Sequence, residues 1–294
     1  MLAVVLAALS GLSYGAADFS GAFASKDNDA TVVTVWMQVV SLLALLLALL
    51  VMRPSTSSSD LAWGALGGLG AALGLTTFYK ALALGPMSVA ASITALVSAA
   101  IPVLTGFALG DRPSAITIAG IALAIPAAVL VSVGGIGAKG TSILLPPREQ
   151  FVARSSANQT RVLAIIAGLG FGLFFIALSR TSGDTGLFPL LGARIASIAA
   201  LSVVLTASRS WSGVNRKAWP VVVVAGLLDF GANSFYLLAL DSGSFTWVAA
   251  ISSLYPVSTV LLARIVLNER IAALQIVGLA LAGGALALVA VGAT

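Results

Sequence analysis

The sequence predicts an all-α membrane protein in which ten transmembrane helices form two inverted five-helix repeats. Three observations carry that prediction. Of 294 residues, 59% are hydrophobic and only 9% charged, and the mean hydropathy is +1.08, which leaves too little polar surface to coat a soluble globule of this length. Charged residues and clusters of Pro, Gly and Ser divide the chain into ten apolar segments, each near the roughly 20 residues a helix needs to cross a bilayer. The second half also repeats the first. Asp111-Arg112 recurs as Glu269-Arg270, and at the same offset of 158 residues Gly85, Ile93, Leu96, Gly120 and Gly134 fall on Gly243, Ile251, Leu254, Gly278 and Gly292. Upstream the register drifts by one residue, so that Gly11-Leu12-Ser13-Tyr14-Gly15 answers Gly168-Leu169-Gly170-Phe171-Gly172. A unit with an odd number of spans sets its second copy upside down relative to the first.

The first repeat, residues 1–133, supplies the spans Leu2–Ala24, Thr31–Met52, Leu61–Leu84, Met87–Leu109 and Ala115–Val133. The first of these resembles a secretory signal in being an apolar run followed by small residues. It lacks a positive n-region, however, and its glycine pattern returns inside the second repeat, so it is read as a retained span. Connections such as Gly110-Asp111-Arg112-Pro113-Ser114 are too short for anything but antiparallel neighbours. Residues 134–160 are rich in Gly, Ser and Pro, include Pro146-Pro147, carry no sustained helical pattern and read as a flexible linker. The second repeat, residues 161–294, supplies Val162–Arg180, Gly186–Ala207, Ala218–Leu240, Phe245–Leu267 and Ile271–Val291. These are continuous apolar runs without the period-two alternation of a β-barrel.

Composition removes several chemistries. The pI is near 10, but the basic residues stand singly in short loops with no aromatic platform, so they read as topology signals and not as a nucleic-acid surface. Lys26, Lys139, Arg148, Arg154, Arg161, Arg209, Arg216, Lys217 and Arg270 fall on one face, against Arg53, Arg112 and Arg180 on the other. The positive-inside rule then puts the linker in the cytoplasm and both termini outside. With no Cys and no His, thiol nucleophiles, imidazole bases and the usual zinc ligands are unavailable. No metal or cofactor is expected.

Ionisable residues at mid-membrane depth are the sharpest local signal, because each costs about 2.5–3.5 kcal/mol on insertion scales. Asp229 lies near the centre of the eighth span, Arg194 near the centre of the seventh, and Asp18 two-thirds along the first. They face a central cavity as binding or coupling groups, or Asp229 and Arg194 form a buried pair that locks two helices. Lys80 and Arg264 lie near span ends, where long side chains snorkel to the headgroups. Tyr79, Thr94 and Ser98, answered by Asn233, Tyr236, Trp247, Ser252 and Tyr255, add hydroxyls, an amide and rings that belong inside the bundle. Trp63, Trp219 and Trp247 also suit an interfacial belt. Pro102 and Pro256 free backbone carbonyls for solute or for bending, or simply kink their spans. Asp111-Arg112 and Glu269-Arg270 suit helix capping in tight turns. The pairs Gly11/Gly15, Gly168/Gly172, Gly64/Gly68 and Gly70/Gly74 mark close helix seams.

The stretch from Ser252-Ser253-Leu254-Tyr255-Pro256 through Asn268-Glu269-Arg270 to Gly278 resembles the proline-bearing ninth span and Glu-Arg turn of the drug/metabolite transporter superfamily, specifically its ten-span EamA-type permeases. The likeness covers nearly the whole chain outside the linker. The first repeat departs from it: Ser98 stands at the proline position, Pro102 follows one turn later, and Asp111 replaces the turn Glu. The resemblance implies a multi-pass inner-membrane carrier, often an exporter of amino acids or other small metabolites, with a pocket between inverted repeats. The expected partners are a small-molecule solute and the lipid bilayer, with a monomeric chain and no nucleic acid. A passive channel or facilitator, a membrane scaffold and an intramembrane lipid-modifying enzyme are the alternatives, the last poorly supplied with convergent acid/base groups.

Overall fold

The computed structural model describes residues 1–25, 27–84, 87–133, 147–266 and 271–293. The first repeat forms α1 (Leu2–Ala24), α2 (Ala30–Met52), α3 (Ser58–Leu84), α4 (Met87–Ala108) and α5 (Ala115–Val133). The second forms α6 (Pro147–Ser179), a 3-10 turn at Gly183–Thr185, α7 (Pro189–Ala207), α8 (Trp219–Leu240), α9 (Phe245–Ser252), α10 (Pro256–Val266) and α11 (Ala273–Gly292). Local chemistry sets the ends. Asp29 accepts the amides of Thr31 and Val32 at 2.8 and 3.1 Å and so caps α2. Pro189 opens α7 at a position whose N–H would have no intrahelical partner.

Among the described residues, eight helical segments are long and apolar enough to cross a membrane, with α9 and α10 counting as one, and Ile93–Ala108 and Ala115–Val131 are shorter apolar helices. Leu47, Val51, Val203 and Ile265 are 67–84% exposed. Such an outer surface suits hydrocarbon and not water.

The α5–α11 seam makes the internal symmetry visible. A Cβ on Gly120 would press on Ala285 O and Val289, and one on Gly278 would press on Ala127 O and Val131. Each of these residues is the 158-offset mate of its counterpart, so the seam is related to itself by a two-fold operation. The same operation relates other contacts: Gly11 and Gly15 of α1 abut α9 and α10, while Gly168 and Gly172 of α6 abut α4. With five crossings per repeat, α6 enters from the face opposite to α1, and the copies are inverted.

Two elements differ from expectation. The ninth span is not one helix: α9 stops at Ser252 and α10 starts at Pro256. Pro256 has no N–H for the Ser252 carbonyl and its ring crowds that turn, so the chain passes through a tighter turn, with Leu254 N bonded to Ile251 O and Val257 N to Leu254 O at 3.0 Å. In the first repeat α4 is continuous through Ser98 and carries Pro102 inside it. Secondly, α6 extends back to Pro147, so residues 147–160 of the expected linker are helical, beginning at a proline suited to a first turn. Residues 134–146 lie outside the described residues, as do Lys26, Gly85 and the Glu269-Arg270 turn. Of the two readings of Trp247 the interior one holds: it is only 6% exposed and packs in the core cluster with Phe245 and Val248. Trp219 stacks edge-on against Trp36 with centroids 5.0 Å apart.

Candidate functional site

Close packing brings the polar side chains together. Gly192 on α7 faces Leu61 O, Gly68 on α3 faces Ala193 O, and Gly226 on α8 faces Met37 O, all at distances where a Cβ would collide. These approaches draw α7 against α3 and α8 against α2. Asp229 falls midway along the 22-residue α8. Arg194 stands nearer the start of α7 than the span reading put it, because that helix begins at Pro189.

Asp229 Oδ2 lies 2.7 Å from Arg194 Nη2. The contact is an ion pair by distance, although its angles do not make a hydrogen bond, and Arg194 Nε has no partner among the described residues. Arg194 Nη1 donates to Gln38 Oε1 on α2. One turn along α8, the Asn233 amide donates to Asp229 O at 2.6 Å and to Asp229 Oδ1 at 3.2 Å. Asn233 Oδ1 in turn accepts the Tyr14 phenol of α1 at 2.9 Å. Five side chains from four helices and both repeats therefore form one chain, Tyr14–Asn233–Asp229–Arg194–Gln38.

This chain borders a cavity of about 80 Å³, which on the same measure holds a few waters at roughly 10–15 Å³ each. Asp18 and Tyr255 complete its polar lining, and Phe171, Phe174 and Phe175 of α6 supply an aromatic wall. No hydrogen bond or ion pair reaches Asp18 among the described residues. Two carboxyl groups against one guanidinium leave one of them, Asp18, without a counter-ion among the described residues.

Of the residues singled out in the sequence, Asp18, Arg194, Asp229, Asn233 and Tyr255 meet at this cavity. Ser98 is buried beside the Tyr255 phenol and donates to Ala95 O at 3.2 Å. The others lie elsewhere. Thr94 donates to Ala164 O at 3.1 Å in the α4–α6 seam. Ser252 reaches Ala7 O at 3.4 Å between α9 and α1. Tyr236 is fully buried behind the cavity wall, its phenol on Phe175 O at 3.3 Å and its ring 4.8 Å from that of Phe175. Trp247 belongs to the core, and the Tyr79 side chain lies outside the described residues. Pro256 forms the break next to Tyr255, whereas Pro102 sits within unbroken α4. Sequence reasoning missed Gln38, the one amide in the largely apolar α2, and took Tyr14 only as part of a glycine packing pattern. Screening apolar spans for amides finds the first.

Toward the face that carries Met1, two carboxylates of the first repeat grip the second. Asp60 Oδ2 accepts the Ser182 amide at 3.2 Å and the Ser182 and Thr185 hydroxyls at 2.5 and 2.7 Å. Asp111 Oδ2 accepts the Ser244 hydroxyl at 2.7 Å and the Thr246 amide and hydroxyl at 3.0 and 2.6 Å. Asp111, in the turn after α4, thereby caps α9 from another element. Partial burial works against ionisation of Asp111, but these three bonds outweigh it and hold the carboxyl below its usual range.

The family model described as "EamA-like transporter family" matches residues 1–133 and again 160–291. A solved structure described as "Crystal structure of protein" superposes with a TM-score of 0.76 over 98% of this chain and 96% of its own, at 16% identity, a likeness of fold. A search of curated proteins returns no match. With its two repeats each matched in turn, the chain belongs to the EamA-like transporter family of the drug/metabolite transporter superfamily, multi-pass membrane transporters of small solutes.

Proposed function

We propose that the protein carries a small organic metabolite outward across the plasma membrane by alternating access, with Asp18, Arg194 and Asp229 at the solute site. The observation that supports this reading best is a partly open cavity at mid-depth between inverted repeats, lined by an ion pair, a further carboxyl group and aromatic rings. A central site between inverted repeats is the arrangement that lets one solute site face the two sides in turn. The double carboxylate grip of Asp60 and Asp111 supports a shut gate on the Met1 face, leaving the opposite face as the side of entry. The proposed working unit is a monomer.

The test is counterflow in proteoliposomes loaded with a panel of labelled amino acids, sugars and organic cations. Saturable exchange of one class, lost in a D229N variant that is less stable but still folded, supports the reading. Linear flux without counterflow indicates a channel, and normal exchange in a less stable D229N makes the Arg194 pair a structural lock only.

A further inference from the structure

We infer that the solute is an organic monocation, an ammonium group on an apolar or aromatic body, with Asp18 as its counter-ion. The inference rests on the transport reading above and names the chemistry of that same cavity. Arg194 is already committed: Asp229 stands 2.7 Å from it and Gln38 accepts from it. The guanidinium therefore has its charge matched before any solute arrives. Asp18 has no such partner among the described residues, and it lines the same space. The carboxylate left over has the sign that a cation satisfies. A zwitterion brings no net charge and leaves that balance unchanged, and an anion worsens it.

The remaining wall distinguishes among cations. Tyr14, Phe171, Phe174, Phe175 and Tyr255 line the cavity, and ring faces attract ammonium groups, the more strongly once these are desolvated. An inorganic divalent ion needs several oxygen ligands at one point. Among the described residues no group of three or more His, Cys, Asp or Glu converges anywhere. Rings cannot supply that coordination shell, but they suit a soft cation carried on hydrocarbon.

The experiment uses the whole protein in lipid nanodiscs and three permanently defined probes of similar size: benzyltrimethylammonium, phenylalanine and benzenesulfonate. Equilibrium binding to the wild type is expected to be saturable for the first and at least about tenfold weaker for the other two, a gap of about 1.4 kcal/mol. D18N is expected to lose benzyltrimethylammonium binding by a similar factor, D18E to retain most of it, and G283A, in open space on a lipid-facing groove, to match the wild type. Preference for phenylalanine or benzenesulfonate, no binding of the cation, or undiminished cation binding in D18N overturns the inference. The wild type's selectivity stands as a test even if D18N fails to fold. Counterflow of any non-cationic solute in the panel above, alongside failure here, leaves the carrier standing and removes only its cation specificity.

Discussion

Asp111 and Thr246, on opposite repeats, are joined twice through one oxygen: Asp111 Oδ2 takes both the amide and the hydroxyl of Thr246, at 3.0 and 2.6 Å. Hydrogen bonds to a charged group are worth about 1.5–3 kcal/mol, so D111N is expected to lower stability by about that amount at pH 7. Because the folded-state carboxyl is held below its usual range, its contribution is complete above the ordinary carboxylate value of about 3.9 and disappears as pH falls through the lower folded value. Melting curves in detergent at pH 7 and at progressively lower pH check this. The gap between D111N and wild type should narrow only in the acid limb, and a gap that persists unchanged there rejects the account.

The Arg194–Asp229 pair predicts a non-additive result. Removing one partner of a buried pair strands the other charge and typically costs about 3–5 kcal/mol, whereas replacing both with apolar residues is often neutral. R194L is therefore expected to be much less stable than the R194L/D229L double variant. Thermal denaturation of the two singles and the double measures the coupling, and equal, additive losses contradict it.

Glycine substitutions should sort by what lies opposite. A Cβ at Gly64 would stand 1.8 Å from Pro189 O, and one at Gly68 2.1 Å from Ala193 O, both rigid backbone atoms, while Gly283 has nothing within 4 Å. Overpacking a filled seam costs about 1–3 kcal/mol. G64A and G68A should melt well below wild type and G283A alongside it; similar melting of all three refutes the close α3–α7 seam.

Pro256 is expected to control the α9–α10 break. P256A restores an N–H within reach of Ser252 and removes the ring that ends α9. Counterflow should slow while thermal stability is kept or rises, because a mid-membrane joint has been stiffened. Unchanged exchange kinetics would show that the break plays no part in the cycle.

Much of this architecture is written in the primary structure. Length and apolarity mark the spans because a bilayer demands both at once, and the 158-residue offset from Asp111 to Glu269 exposes the duplication. Asp18, Arg194 and Asp229 were legible for the same reason: a charge costs so much at that depth that its presence signals a partner or a cavity. What escaped was decided by rotation about helix axes. Thr94, Ser252 and Tyr236 are polar and interior as expected, yet they point into seams toward Ala164, Ala7 and Phe175 and not into the cavity. The inward aim of Gln38 depends on how α2 meets α7 and α8, the second approach being set by Gly226 against Met37 O. Nor did the pattern around Asp111 disclose that it caps a helix 133 residues away from it at Ser244.

The interrupted α9–α10 helix and its unbroken mate α4 mean that the two halves are kin without being interchangeable. One arm carries a joint at Ser253–Tyr255, the other only Pro102 inside an unbroken helix, so the two arms are not built to flex alike. Under the proposed alternating-access cycle, such halves would hold the site open to the two sides for unequal times even at equal solute concentration, while the gradient alone would set net flow.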